Sequence, residues 1–263
     1  MDNVNKTLYI PLRGKAYVSK LGTLISDPDA ERIWEAEGFP LKGKSASKWL
    51  AYSMGIRAAV FDRWLNQQLR EMPEAVVLHL GCGLDSRCRR VKSGAEWFDV
   101  DFPAVIEERK RYFSESANYH MVGRDLREDF LRDIPAGCAI VVMEGVSMYM
   151  TAGERQELLQ RLSTHFGEVR LLMDTYTVFA AKATKYKNPI NDVGVTQVHG
   201  FDDPRDLETC TGFAFCRELS MNPGDLVAQL PKKDQKLYRL VYGGKMADKI
   251  CRLYEYRTSG DAR

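Results

Sequence analysis

The chain has 263 residues, enough for one α/β domain with additions or at most two small domains. Hydrophobic residues make up 44% of it, an ordinary share for a globular protein, and 38 Lys and Arg against 36 Asp and Glu leave a net charge of +2. A balance so near neutral gives no charge steering toward nucleic acid or a membrane surface. The six cysteines, at 82, 88, 138, 210, 216 and 251, form no Cys-x-x-Cys, and none has a histidine at zinc-ligand spacing. Reduced thiols and no metal are expected.

The N-terminal "MDNVNKTLYIPL" is polar and lacks a long apolar core. No run approaches the roughly 18 apolar residues of a membrane span, and the expectation is a soluble, cytoplasmic protein. Residues 1–45 carry mixed signals, among them a capped helix start in "SDPDAERIWEAEGF", with Ser26 or Asp27 before Pro28 and acids in the first turn. From Ser47 to Glu71, Leu50, Met54, Val60, Phe61, Trp64 and Leu65 recur near helical spacing and predict a long helix. Strand and helix signals then alternate. Strands are expected at Val76–Leu80, Trp97–Val100, Tyr119–Val122, Ala139–Met143 and Val169–Asp174. Helices are expected at Pro103–Phe113, with proline in the first turn, and after Thr151, where Glu154 completes a capping box. A Tyr- and Lys-rich helical stretch and the loop "GVTQVHGFDDPRD" follow. "FAFCREL" and "ICRLYEYR" then read as two late strands flanking a helix near 223–240, whose basic "PKKDQK" reads as a solvated face. This alternation argues for a doubly wound, mostly parallel sheet.

Ligands of such sheets bind outside the carboxyl ends of the strands. Those ends carry Gly81-Cys82-Gly83-Leu84-Asp85, Asp99-Val100-Asp101, Gly123-Arg124-Asp125-Leu126 and Glu144-Gly145. Acids crowded together disfavour one another's ionisation, so the pattern makes sense where each meets a separate donor on one ligand. Asp101 stands 20 residues after Gly81, near the spacing at which an acid accepts from ribose hydroxyls. The third glycine of GxGxxG is missing, since position 86 is Ser, and Asp85 would meet a phosphate as a like charge. A cofactor with ribose and adenine but no phosphate fits better, and S-adenosylmethionine is the common one. Cys82 reads as a small filler between the glycines.

"VVLHLGCGLDSRCRRV", "WFDVDFPAVIEERKRYF" and "VVMEGVSMYM" together resemble the leucine carboxyl methyltransferase-like family, in particular its bacterial polyketide O-methyltransferase branch. The likeness extends to "KTLYIPLRGKAYVSK", "MGIRAAVFDRWL", "LLMDTYT" and "GFDDPRDLE", and so spans most of the chain. It implies a Rossmann-like class I methyltransferase: one domain over 1–263, with a seven-stranded, mostly parallel sheet, helices on both faces and an antiparallel last strand. A helical cover at 1–72 and a lid insertion at about 176–210 would enclose the cofactor. It further implies that Gly81 and Gly83 turn beneath the methionine part of S-adenosylmethionine. Asp101 takes the ribose hydroxyls, Asp125 and Leu126 flank the adenine, and Glu144 lies near the amino group. Arg57 holds the carboxylate with Lys15, for which Lys20 is the alternative.

Beside these stand plainer readings. Asp62 is a partner for Arg57 or an exposed acid, Asp99 a second cofactor acid or a solvated strand end. Met148 and Tyr149 line an acceptor pocket or belong to the core. A carboxylate acceptor needs no general base, whereas a phenol with a pKa near 10 does. His199 and Asp202, in the expected lid, are the candidate bases, with Tyr149 and Tyr176 as hydrogen-bonding positioners. The short link between the third and fourth strands favours a small-molecule acceptor over a protein tail. The expectation is an O-methyltransferase acting on a carboxyl or hydroxyl group of a polyketide-like or aromatic small molecule, with S-adenosylhomocysteine as product. A protein carboxyl methyltransferase, a nucleotide-dependent oxidoreductase and a non-catalytic cofactor-binding protein are the alternatives on the same sheet. The sequence leaves the oligomeric state open.

Overall fold

The structure, a computed structural model, describes residues 5–184, 198–243 and 249–258. Its centre is a seven-stranded sheet: β1 (Val76–Leu80), β2 (Trp97–Asp101), β3 (Tyr119–Gly123), β4 (Cys138–Met143), β5 (Glu168–Tyr176), β6 (Phe213–Leu219) and β7 (Cys251–Thr258). They lie in the order β3-β2-β1-β4-β5-β7-β6. Pairing is parallel from β3 to β5, and β7 runs antiparallel to both β5 and β6. The middle strands form because they are continuous apolar runs buried on both faces, as parallel strands require. Alternate residues divide between two cores. Leu78, Val141 and Leu171 pack with Leu158 and Leu162 on one face; Val77, Ile140 and Leu172 pack with Ile56, Phe61 and Leu65 on the other. The strand order reverses beside β1, which opens a crevice at the carboxyl ends of β1 and β4.

Among the described residues three α-helices precede the sheet: α1 (Tyr9–Lys20), α2 (Pro28–Glu37) and α3 (Lys48–Glu71). Asp27, rather than Ser26, caps α2 by accepting from Ala30 N at 2.9 Å. Ser47 caps α3. The sequence pattern gave no sign of α1, which holds Pro11 and Gly14, both poor helix formers. It exists because it packs on α3. A Cβ on Gly14 would lie 2.4 Å from Met54 Cβ, and one on Gly55 would lie 2.7 Å from the Val18 methyls. The two glycines let the helices approach closely and carry Lys15 and Arg57, one and two residues further on, over the crevice.

The remaining α-helices of the described residues are α4 (Arg87–Arg90), α5 (Pro103–Arg109), α6 (Ala152–His165), α7 (Val178–Ala183), α8 (Gly224–Val227) and α9 (Lys232–Tyr242). The capping box on α6 is present, with Thr151 and Glu154 bonding reciprocally. The expected helix over 103–113 stops at Arg109, because the chain turns there to set Phe113 under the Arg109 guanidinium, 4.1 Å from the ring centroid. The expected helix near 223–240 is two helices, broken at Pro231, which has no N–H to continue the first. The expected lid insertion has its central part, 185–197, outside the described residues. Among the described residues no helix is long and apolar enough to cross a membrane, and all six cysteines are free.

Replacing Gly14 with Val is expected to force α1 off α3 and to lower the unfolding free energy by about 1–3 kcal/mol, the usual range for overpacking. Urea denaturation monitored by circular dichroism measures this, and an unchanged midpoint would show that the two helices do not need their close contact.

Candidate cofactor site

The crevice is a cavity of about 430 Å³. Its floor is the turn after β1. Gly81 has φ +67° and Gly83 φ +52°, in the left-handed region that favours glycine. A Cβ on Gly81 would also lie 2.2 Å from Val146 Cγ2. The turn is therefore bare both for its own conformation and because Val146 closes on it. Cys82, between the glycines, is buried, and burial pushes its thiol pKa well up, so it is inert filler.

Asp101, at the end of β2, is fixed by backbone donors: Gly83 N gives to Oδ2 at 2.7 Å and Phe102 N to Oδ1 at 2.8 Å. A carboxylate has about four acceptor positions, so capacity remains on the side that lines the cavity. Burial without a full set of donors raises its pKa to about 6, an effect the two backbone bonds only partly offset. Asp125 and Leu126 line the cavity beyond β3, where Asp125 is clasped by the Arg127 guanidinium.

Opposite these, α1 and α3 reach in. Arg57 gives Nε to Glu144 Oε1 at 3.0 Å and Nη1 to Asp174 Oδ2 at 2.8 Å. Gly145 (φ +74°) leaves room beside this guanidinium, since a Cβ there would stand 3.4 Å from Nη2. Lys15 is buried and bonds Asp85 Oδ2 at 2.6 Å, while Lys20 is exposed and pairs with Glu35. It is thus Lys15 that faces the cavity.

Behind the wall lies a second layer of charge. Arg87 is wholly buried: Nε donates to Asp62 at 2.7 Å, Nη2 to Glu144, and Nη1 lies 3.4 Å from Asp85. Arg90 holds Asp62, Asp85 and Asp27 at 2.8, 2.8 and 2.5 Å. Asp62 therefore partners Arg87 and Arg90, not Arg57, because five residues carry it nearly a turn and a half along α3 to a different side, over α4. Asp99 is neither a cofactor acid nor a solvated strand end. It is buried against Arg109, the Tyr119 hydroxyl (2.7 Å), Trp97 Nε1 (2.9 Å) and His79 (3.1 Å). Its side chain points to the α5 side of the sheet, away from the crevice, and Arg109 holds its pKa down at about 2 against the opposing effect of burial.

The other end of the cavity is apolar. Ile10, Leu50, Met54 and Met148 line it with Tyr149 and Tyr176, whose hydroxyl pKa values burial pushes up. His199 does not line the cavity: its backbone N–H donates to Met148 O at 2.7 Å, and its imidazole is half-buried elsewhere. Asp202 is likewise engaged, accepting from Val178 N at 3.0 Å. Sequence reasoning missed His79, which lines the cavity, and Arg87 and Asp174, which hold Glu144 and Arg57 from behind it. The signals were a histidine inside an apolar strand and an acid at the carboxyl end of β5.

The residues fit S-adenosylmethionine on two observations. Lys15, Arg57, Arg87 and Arg90 face Asp27, Asp62, Asp85, Glu144 and Asp174, which leaves one surplus carboxylate for a cationic ligand. The amide at the start of α4, where a pyrophosphate would sit, is already occupied: Arg87 N donates to Asp85 Oδ1 at 3.1 Å. The sheet and this cavity are those of an S-adenosylmethionine-dependent methyltransferase of class I. Among such enzymes the chain belongs to the leucine carboxyl methyltransferase family, which matches residues 13–163. It is 32% identical over 228 residues to the tetracenomycin polyketide synthesis O-methyltransferase of Streptomyces glaucescens, covering 84% of each chain. In fold it is similar to a solved Thermobifida fusca structure (TM-score 0.57, 14% identity, 94% of each chain). It also resembles the magnesium protoporphyrin IX methyltransferase of Synechocystis, solved with bound S-adenosylhomocysteine (TM-score 0.51, 12% identity, 89% of this chain and 95% of that one).

Arg87→Met is expected to lower stability by about 3–5 kcal/mol, because it takes from Glu144 and Asp62 one of the two cations that hold each and leaves three cations against five carboxylates. Urea unfolding checks this, and a loss below 1 kcal/mol would show that water reaches these carboxylates.

Proposed function

We propose that the enzyme methylates an oxygen of a small, largely apolar acceptor, and that this oxygen belongs to a carboxylate. Among the described residues, the apolar end of the cavity presents no free carboxylate or imidazole that could take a proton from a phenol, and this observation carries the reading. The carboxylates that line the cavity, Asp85, Asp101, Asp125 and Glu144, all stand at its polar end, bonded there to cations or backbone amides. A carboxylate is ionised at neutral pH and needs no base, only alignment and exclusion of water. The sulfonium of bound S-adenosylmethionine supplies the methyl group with its leaving group built in.

The chain's own groups then divide the work. Asp101 accepts from the ribose hydroxyls, Phe102, Asp125 and Leu126 enclose the adenine, and Gly81 and Gly83 admit the methionine part. Glu144 receives the ammonium, while Arg57 Nη2 and Lys15, whose ammonium has further donors to offer, hold the carboxylate. Tyr149, tied to Thr7, and Tyr176 offer hydroxyl donors that orient the acceptor oxygens. His199 could act only on the acceptor side, from outside the described cavity wall. The small-molecule reading is supported by the apolar lining and by the tetracenomycin-pathway relative.

A panel of aromatic and polyketide-like acids and phenols, incubated with methyl-labelled S-adenosylmethionine, tests the acceptor. The product is expected to be an ester, which releases labelled methanol in mild alkali. An alkali-stable aryl ether would reject the carboxylate.

Asp101 yields a pH prediction. Its pKa of about 6 lies above the reference value of 3.8. It therefore favours the ligand-free fold below that value and loses this contribution as pH rises through 6. The ionised form is the better ribose acceptor, so S-adenosylhomocysteine should bind about tenfold more weakly at pH 5 than at pH 7. In Asp101→Asn, binding at pH 7 should fall by about tenfold or more and its pH dependence should flatten. Calorimetry measures both; unchanged affinity in the folded variant would remove Asp101 from the ribose site.

A further inference from the structure

His79 is a histidine in an otherwise apolar strand, 1% exposed, and nothing in the proposed chemistry uses it. It stands in register with Asp99 on β2 and Val142 on β4. Nδ1 lies 3.1 Å from Asp99 Oδ1, and Nε2 lies 3.2 Å from Arg87 Nη1. A guanidinium has donors and no acceptor. Nε2 must therefore present its lone pair to Arg87, which leaves the single ring proton on Nδ1, donated to Asp99. Asp99 is itself immobilised by Trp97, Tyr119 and Arg109. Burial pushes the imidazole pKa down and keeps this neutral tautomer.

The consequence reaches the cavity through Arg87. Its Nη2 holds Glu144 Oε2, Arg57 Nε holds the other Glu144 oxygen, and Arg57 passes on to Asp174. A continuous chain thus runs Asp99, His79, Arg87, Glu144, Arg57, Asp174 across the carboxyl ends of β2, β1, β4 and β5. Arg87 Nη1 has two neighbours, His79 at 3.2 Å and Asp85 at 3.4 Å. Without the Nε2 acceptor, Asp85 alone draws that nitrogen, and the guanidinium swings away from Glu144.

We infer that His79 is a positioning residue which, through the lone pair it offers Arg87, aims the Glu144 carboxylate at the amino-acid end of the cofactor. The inference rests on the reading of the cavity as an S-adenosylmethionine site, and two probes separate the claims. S-adenosylhomocysteine carries the amino-acid moiety; methylthioadenosine has the same adenosine and sulfur without it. The substitutions are His79→Gln, whose amide oxygen falls near Nε2 and accepts from Arg87, and His79→Asn, whose shorter amide reaches Asp99 but not Arg87.

By calorimetry, His79→Asn is expected to bind S-adenosylhomocysteine about tenfold more weakly and methylthioadenosine as the wild type does. His79→Gln is expected to stay within about threefold of wild type for both. Equal losses for the two probes would make His79 a support of the fold alone. A tenfold loss in His79→Gln for S-adenosylhomocysteine would move the role to the Asp99 bond, and either result overturns the inference. Should His79→Asn fail to fold by circular dichroism, His79→Gln decides between these outcomes. Wild-type protein that binds methylthioadenosine no more weakly than S-adenosylhomocysteine would refute an amino-acid subsite at Glu144. Wild-type protein that binds neither would refute the cofactor reading itself.

Discussion

The rest of the structure depends on a body of buried charge packed between the sheet and its N-terminal helices. Four cations and five carboxylates, all but Asp62 and Arg90 buried, pair around Asp85 and Glu144. Such pairs roughly break even against a hydrophobic replacement, so their presence is weak evidence for stability. What they fix is position. Each is satisfied in only one arrangement of α1, α2, α3, α4, β1, β4 and β5, because an error of a few ångströms would leave a charge unpaired. The helices that cover the cavity are thereby registered on the strands that floor it, and an apolar interface alone would tolerate sliding.

The same requirement explains what could be read from the sequence. The inner parallel strands were legible because a strand buried on both faces must be a short, largely apolar run, while β3, a half-buried edge strand, gave only a weak signal. Asp101 and Glu144 were legible as acids of the cavity because a doubly wound sheet puts the carboxyl ends of its strands at the crevice. Chain position alone could not separate Asp99 from Asp101. They differ by two residues in one strand, so both were candidates, and the bonds from Arg109 on α5 and Tyr119 on β3 that claim Asp99 come from the elements that follow. Helix α1 was illegible for a related reason. Its Pro11 and Gly14 weaken the local signal, and the contact that compensates lies on α3, about forty residues away. Arg57 and Lys15 came only from resemblance, since nothing local distinguishes an arginine that enters a cavity from one on a helix surface.

Asp62 shows how far an argument from spacing reaches. Five residues after Arg57, it stands nearly a turn and a half along α3 and on a different side, so it meets α4 while Arg57 meets β4 and β5. The result is a division of labour along one helix: Arg57 faces the cavity and Asp62 anchors the arginines behind it. His79 extends that anchor into the sheet, where its two nitrogens link Asp99 to Arg87.

The two ends of the cavity consequently differ in how much change they permit. At the polar end nearly every group is held by two or more partners, and altering one disturbs the next. At the apolar end Ile10, Leu50, Met54 and Met148 belong to a small cluster with Val198, Tyr149 and Tyr176 and carry no charge. Methionine adapts its shape at little cost, and apolar exchanges of similar volume are tolerated. Methyl transfer from a sulfonium asks little more of that end than alignment and dryness. Substitutions on α1, α3 and the turn at Ser147–Tyr149 can therefore reshape the apolar end without touching the ionic frame at the polar one.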